Sequence, residues 1–164
     1  EEKLWKIISE TRDLQALLEG AVAVRPVAEM SGYSTRVKQL AGPRFALLGN
    51  AGEFLDPVFS SGVTVAFKSA DLLVDPLLRQ LAGETVDWDA DFSRPLKVGV
   101  DCFRIFVEAW YRGDLQEIIF NPPADDNPIK QMIVSILAGY AWDEKNPFVS
   151  QGRKYLDMVA LQCA

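Results

Sequence analysis

The sequence predicts a mainly α fold with a minor β part, six or seven helices and two or three strands. Three observations point there. Apolar residues recur at helical spacing through most of the 164-residue chain. Proline and small polar cap residues punctuate that pattern repeatedly in the second half. Short β-prone runs occur only between residues 21 and 48. A hydrophobic content of 49% is that of a globular chain with a core, not a disordered one.

The elements follow in order. Leu4, Ile7, Ile8, Leu14, Leu17 and Leu18 mark one amphipathic helix over residues 4–18, ended near Gly20. Its mixed polar face suits core packing rather than a membrane surface. Residues 21–28 are β-prone, with Pro26 favouring an edge or a break. Residues 31–37 form a second candidate strand, after which Ala41-Gly42-Pro43 turns into a short buried strand at residues 45–48. Gly49-Asn50-Ala51-Gly52 is a tight turn, and Asp56-Pro57 holds an extended segment. Ser60 or Ser61 then caps a helix whose apolar stripe is Val63, Ala66, Phe67, Ala70, Leu73 and Val74. Asp75-Pro76 marks a kink or a fresh start, and Leu77, Leu78 and Leu81 carry the pattern to Gly83.

Asp87, Asp89 and Asp91 read as a solvated helix start, since their spacing does not match a calcium loop. A long helix runs from Pro95 to about Tyr111 with Phe103, Phe106, Val107 and Trp110 on one face. Asp114 and Glu117 fit a capping box for a short helix through Phe120, which Asn121-Pro122-Pro123 stops. Asn127-Pro128 opens a helix to about Trp142. Asn146-Pro147 opens the last one, with Val149, Gly152, Leu156, Val159, Ala160 and Cys163 facing inward. Residues 1–83 are then a β-containing part and 84–164 a helical part, together one compact unit.

Composition excludes several function classes. A net charge of −6 argues against nonspecific nucleic-acid binding. With no histidine, Ser–His–Asp triads, Cys–His dyads and HExxH zinc sites are ruled out within the chain. The two cysteines, Cys102 and Cys163, form no CxxC and read as free thiols in a reducing cytoplasm. No metal site is predicted. No apolar run reaches the ~20 residues of a bilayer span, and no secretory leader is visible. A start at Glu1 without methionine fits a fragment or a processed product.

Residues 44–70 carry the chemistry. Strand, turn, loop and helix deliver a helix N-terminus whose free N–H groups point past small residues. That end suits an anion, a phosphate or an electron-rich ring edge. The plain alternative is a strand–loop–helix with a serine cap.

Gly49-Asn50-Ala51-Gly52 followed by Phe54-Leu55-Asp56-Pro57-Val58-Phe59-Ser60-Ser61-Gly62-Val63 resembles the second flavin-binding motif of FAD-dependent, monooxygenase-like oxidoreductases. The match is closest to the branch holding the flavin-dependent (tryptophan) halogenases. The resemblance implies FAD as cofactor, bound through Gly49, Asn50, Ala51, Asp56, Pro57, Ser60, Ser61, Gly62 and Val63. Asn50, where the family more often has aspartate, would lie beside the ribityl chain and pyrophosphate. As a neutral amide it weakens one expected bond to ribitol. The Pro57 loop would lie on the isoalloxazine, with the N–H groups of Ser61, Gly62 and Val63 facing its N1–C2=O2 edge. Backbone at Ser61 and Gly62 would help hold a halide.

Phe103, Phe106 and Trp110 are implied as substrate-pocket candidates, with core packing the competing reading, and Tyr33 as pocket wall or sheet-face aromatic. Glu53 and Asp56 shape the loop rather than act as acid or base. Glu53 reads as a solvent-facing carboxylate that could tune a flavin. No catalytic residue is assignable. The family's catalytic lysine, its tryptophan signature and the GxGxxG βαβ unit have no counterpart here, so the resemblance covers about the last third of such an enzyme. The fold is then the C-terminal fragment of an α/β FAD-binding fold. The implied partners are a small-molecule substrate and a flavin reductase or other reduced-flavin source. The isolated chain is expected to be inactive and to bind FAD poorly. Two other readings are a non-catalytic helical module with an apolar groove, and a flavin-dependent reductase of isoprenoid chains.

Overall fold

A computed structural model describes residues 1–32, 34–121 and 128–163, with no side-chain description at Cys163. Tyr33 and residues 122–127, on which the candidate pocket wall, the Pro122-Pro123 stop and the Asn127 cap fall, lie outside the described residues. The chain divides into two compact units at residues 33 and 34, whereas residues 83 and 84 lie inside the second unit.

The first unit holds α1 (Glu2–Glu10) and α2 (Arg12–Leu17) instead of one helix over 4–18. Thr11 is the break, extended at φ −107 and ψ 101. Its hydroxyl donates to the Ile7 carbonyl at 2.9 Å, a local bond that competes with the helical ladder. Neither helix buries a residue, so the expected core face is not made within this unit. Residues 21–28 form no strand; Val24 is 94% exposed, and Pro26 cannot donate to a ladder.

The second unit carries the core. Among its described residues the strands are four two-residue pieces: β1 (Thr35–Arg36), β2 (Ala41–Gly42), β3 (Phe45–Ala46) and β4 (Glu53–Phe54). Antiparallel pairing joins Thr35 to Phe54 and Arg36 to Glu53, and separately Ala41 to Ala46 and Gly42 to Phe45. The expected buried strand at 45–48 is therefore the second arm of a hairpin, with Phe45 exposed. A two-stranded piece has no second face to bury its residues against.

Six helices follow: α3 (Gly62–Leu81), α4 (Arg94–Arg112), α5 (Asp114–Phe120), α6 (Pro128–Leu137), α7 (Pro147–Ser150) and α8 (Arg153–Cys163). Eight α-helices among the described residues exceed the expected number because two expected helices are split. α3 runs through Pro76 without a fresh start, and it buries Val65, Ser69 and Pro76. Its expected stripe is turned outward instead, with Val63, Phe67 and Val74 exposed. α5 starts at a left-handed Gly113 with no side-chain cap; Asp114 pairs with Arg112 rather than closing a capping box. α6 ends five residues before Trp142 because Gly139, at φ 103, closes it with a bond to the Ile136 carbonyl. Left-handed Gly152 separates α7 from α8, while Asn146 caps α7 by accepting from the Phe148 N–H at 3.1 Å.

α4 is the axis of the core. A single π turn (Asp89–Ser93) leads into it and buries Phe92. Leu96, Val100, Phe103, Phe106 and Ala109 then form one continuous buried stripe. Leu115, Ile118, Ile136, Phe148, Leu156 and Val159 close around it.

Cys102 lies on α4, buried, and donates weakly to the Phe148 carbonyl. Burial pushes its thiol from 9.0 up to about 12. The neutral thiol is favoured in the folded chain, so its contribution to stability is complete below 9.0 and is lost as pH rises through about 12. Native Cys102 should resist thiol reagents at pH 8 and react fully after unfolding, as peptide mapping would show.

Candidate functional site

The segment from β3 to α3 builds a cleft of about 560 Å³. After the hairpin the chain makes a 3-10 turn at Gly49–Ala51, crosses β4, makes a second 3-10 turn at Pro57–Phe59 and enters α3. Each step has a local cause. Gly49 is left-handed at φ 50, and a Cβ there would stand 3.0 Å from the Ala66 side chain. Its N–H donates to Ser69 Oγ at 3.0 Å, and that hydroxyl donates to the Ala66 carbonyl at 2.8 Å. The Gly49 turn is thereby pinned to the small-residue face of α3.

Asp56 is extended at φ −165, and its Oδ1 accepts the Val58 N–H at 2.8 Å, which organises the Pro57 turn. Tyr111 of α4 donates to Asp56 Oδ2 at 3.0 Å. Ser60 closes the turn in the left-handed region, at φ 52, the only non-glycine there among the described residues.

The serine cap expected at α3 does not form. Ser61 occupies the cap position in right-handed helical conformation, at φ −71 and ψ −13, with no side-chain cap bond. The first helical bond runs from Val65 N–H to the Ser61 carbonyl at 2.9 Å. The N–H groups of Gly62, Val63 and Thr64 thus begin the helix without an intrahelical acceptor, at its positive end. Gly62 leaves the approach open: an added Cβ would meet only the Asn50 Oδ1, at 3.4 Å.

The structure gathers Gly49, Asn50, Asp56, Pro57, Ser60, Ser61, Gly62 and Val63 around this one cleft, joined by Leu48, Phe54, Leu55, Val65 and Ala66. Ala51, the ninth candidate, does not line it. Glu53 lines it but is not the solvent-facing carboxylate expected from sequence. It is 3% exposed and accepts from Arg104 Nη2 of α4 at 2.6 Å. Its partner lies far along the chain, and the one hint was Arg104, set between Phe103 and Phe106 on α4.

Phe103 and Phe106 do not line the cleft. Both are core residues, 1% and 0% exposed, in edge contacts with Trp142, Phe148 and Phe59. Trp110 does not line the cleft either; it is half-buried, edge-on to Phe59 at 5.8 Å. Among the described residues no helix is long and apolar enough to cross a membrane.

No family model matches the chain. It is 28% identical over 153 residues to the 1H-pyrrole-2-carbonyl-(peptidyl-carrier protein) chlorinase of Pseudomonas fluorescens, covering 88% of this chain and 32% of the relative. It is 40% identical over 68 residues to the tryptophan 2-halogenase of Chondromyces crocatus, covering 42% of this chain and 13% of that enzyme. The crystal structure of a flavoprotein/dehydrogenase from Cytophaga hutchinsonii superposes with a TM-score of 0.75 at 42% identity, over 80% of this chain and 32% of that one. The chain spans about a third of the length of the chlorinase and of the solved flavoprotein.

Proposed function

The chain is halogenase-like, related to flavin-dependent halogenases and to a solved flavoprotein, and on that premise we propose that its cleft receives the isoalloxazine of FAD. The N–H groups of Ser61, Gly62 and Val63 face the N1–C2=O2 edge, and Gly49, Asn50 and Ala51 lie toward the ribityl and pyrophosphate groups. Asp56, Pro57 and Ser60 shape the wall over the ring, and the backbone at Ser61 and Gly62 helps hold a halide. The flavin supplies the redox chemistry. This chain's share is positional and electrostatic: the uncapped helix end favours negative charge at the ring edge.

One observation carries the reading: a helix N-terminus with no side-chain cap opens into a cleft lined by eight of the nine candidate residues. The chain acts as one part of a larger flavin enzyme with a small aromatic or other organic substrate and a source of reduced flavin. Alone it is inactive and binds FAD weakly, because it spans only about a third of the length of the chlorinase and of the solved flavoprotein. Of the three aromatic candidates, Trp110 keeps exposed surface with which to touch a substrate.

Amide-resolved NMR of the chain tests this directly. Millimolar FAD should shift resonances of cleft residues and leave α6 to α8 unmoved. Shifts spread over other faces, or none, would overturn the reading. Gly62→Ala sharpens it. The added Cβ meets no atom closer than 3.4 Å, and Gly62 is not at positive φ, so alanine fits its backbone without strain. The variant should melt no lower than the parent yet lose the FAD-induced shifts at residues 61–63.

A further inference from the structure

Glu53 stands in the cleft wall and also in the wall of a second cavity, of about 630 Å³, bordered by residues 37–43 and 85–89. Its side chain is only 2% exposed although the residue borders both spaces. A buried carboxylate needs a countercharge, or the cost of desolvating it falls on the fold. Arg104 provides one from the middle of α4, at 2.6 Å and 22% exposed. Arg36, which faces Glu53 across the β1–β4 pairing, turns to Asp101 instead, at 3.4 Å. Arg104 makes its hydrogen bond to Glu53 through Nη2; its Nε, buried without a hydrogen bond, lies 3.9 Å from Asp101 Oδ1, a longer ion pair to the half-exposed carboxylate that Arg36 also meets.

Three further contacts run from α4 to the same loop. Phe106 and Trp110 meet Phe59 edge-on, and Tyr111 donates to Asp56. Those contacts hold the middle of the loop. Arg104 holds its origin, because Glu53 belongs to β4, from which the chain departs toward the Pro57 turn and α3.

We propose that Arg104 is a positioning residue for the cleft: by holding Glu53 it fixes β4, and with it the path of residues 55–61 that sets the α3 N-terminus opposite Asn50. The mechanical part stands on the ion pair; its bearing on flavin rests on the reading of the cleft given above. Arg104 touches no ligand in this role.

The test compares Arg104→Gln, Arg104→Lys and a stability control, Leu156→Val, all measured well below their melting points. The first readout needs no ligand. It is hydrogen-exchange protection of the Ser60 and Val65 amides, which donate to the Pro57 and Ser61 carbonyls. The second is the FAD affinity read from the cleft amides. Arg104→Gln should lower protection at both amides and weaken FAD roughly tenfold, equivalent to about 1.4 kcal/mol. Arg104→Lys, which keeps the charge, should restore most of both. Leu156→Val, at a comparable loss of global stability, should change neither. If Arg104→Gln behaves like Leu156→Val, or if lysine restores nothing, the assignment falls. If FAD moves no cleft amide even in the parent chain, the flavin reading fails, while the exchange data still decide the role of Arg104. Should Arg104→Gln not fold, the double variant with Glu53→Gln leaves no unpaired buried charge and carries the same comparison.

Discussion

Gly99→Ala should unfold the second unit more readily by about 3 kcal/mol, midway between an overpacked core and the loss of a buried aromatic. The added methyl would stand 2.3, 2.4 and 2.6 Å from three carbons of the Trp142 indole. Those distances place the ring flat against the α4 backbone, where only a hydrogen fits. Both sides of the contact are anchored. Gly99 lies in the interior of α4, fully buried, and Trp142 donates from Nε1 to the Pro95 carbonyl at 3.0 Å. To admit the methyl the indole must leave, giving up that bond and its edge contact with Phe103. The helical preference of alanine works the other way by about 1 kcal/mol and does not offset this. Denaturant midpoints at constant m-value would measure the loss. In a Trp142→Ala background the same Gly99→Ala change should cost little or become favourable, because its clash partner is gone. A loss below about 1 kcal/mol in the parent background would mean that the indole does not pack on Gly99.

That contact shows what a sequence conceals. α4 was legible from its stripe, since Phe103 and Phe106 recur at helical spacing after Pro95 and both reach the core. Its contact with Trp142 was not, because Trp142 read as the end of α6. Gly139 ends α6 early, and the indole is delivered from the loop beyond. α3 was legible as a helix but not in its facing. Its apolar residues cover more than one face, and periodicity cannot choose between them. A polar residue decides: Ser69 turns inward because its hydroxyl satisfies the Gly49 N–H. The strand at 45–48 failed for a different reason. An apolar run states that a strand is buried only if other strands flank it, and the pairing seen is a two-residue hairpin.

The candidate site was legible where the backbone makes it and obscure where side chains do. Eight motif residues converge because glycine, proline and aspartate fix local dihedrals, which sequence reports directly. The environment of Glu53 depends on Arg104, a partner 51 residues away. The cap at Ser61 failed because the preceding Ser60 takes the left-handed conformation, leaving Ser61 already helical when the first turn begins. A helix without a side-chain cap leaves more N–H groups free than a serine-capped one would, and the proposed flavin contact rests on that difference.

Phe106→Ala should cost about 3–5 kcal/mol, the range for deleting a fully buried aromatic. Phe106 is 0% exposed and meets Phe148 at 5.3 Å and Phe59 at 6.4 Å, both edge-on. Half-buried Trp110 should lose less than about 2 kcal/mol on the same truncation, since less area returns to water. The two readings of this stripe predict opposite patterns. A pocket wall would tolerate Phe106→Ala in stability and change ligand response alone. A core residue should lower the unfolding midpoint first, and here the loss should also reach the cleft. Phe59 is the last residue of the Pro57 turn, one before Ser60, so a hole behind it loosens the loop that presents the α3 N-terminus. Phe106→Leu refills most of that volume and should recover both the midpoint and the protection of the Ser60 amide. Recovery of the midpoint without the amide would mean that the aromatic edge itself, rather than filled space, holds the loop against α4.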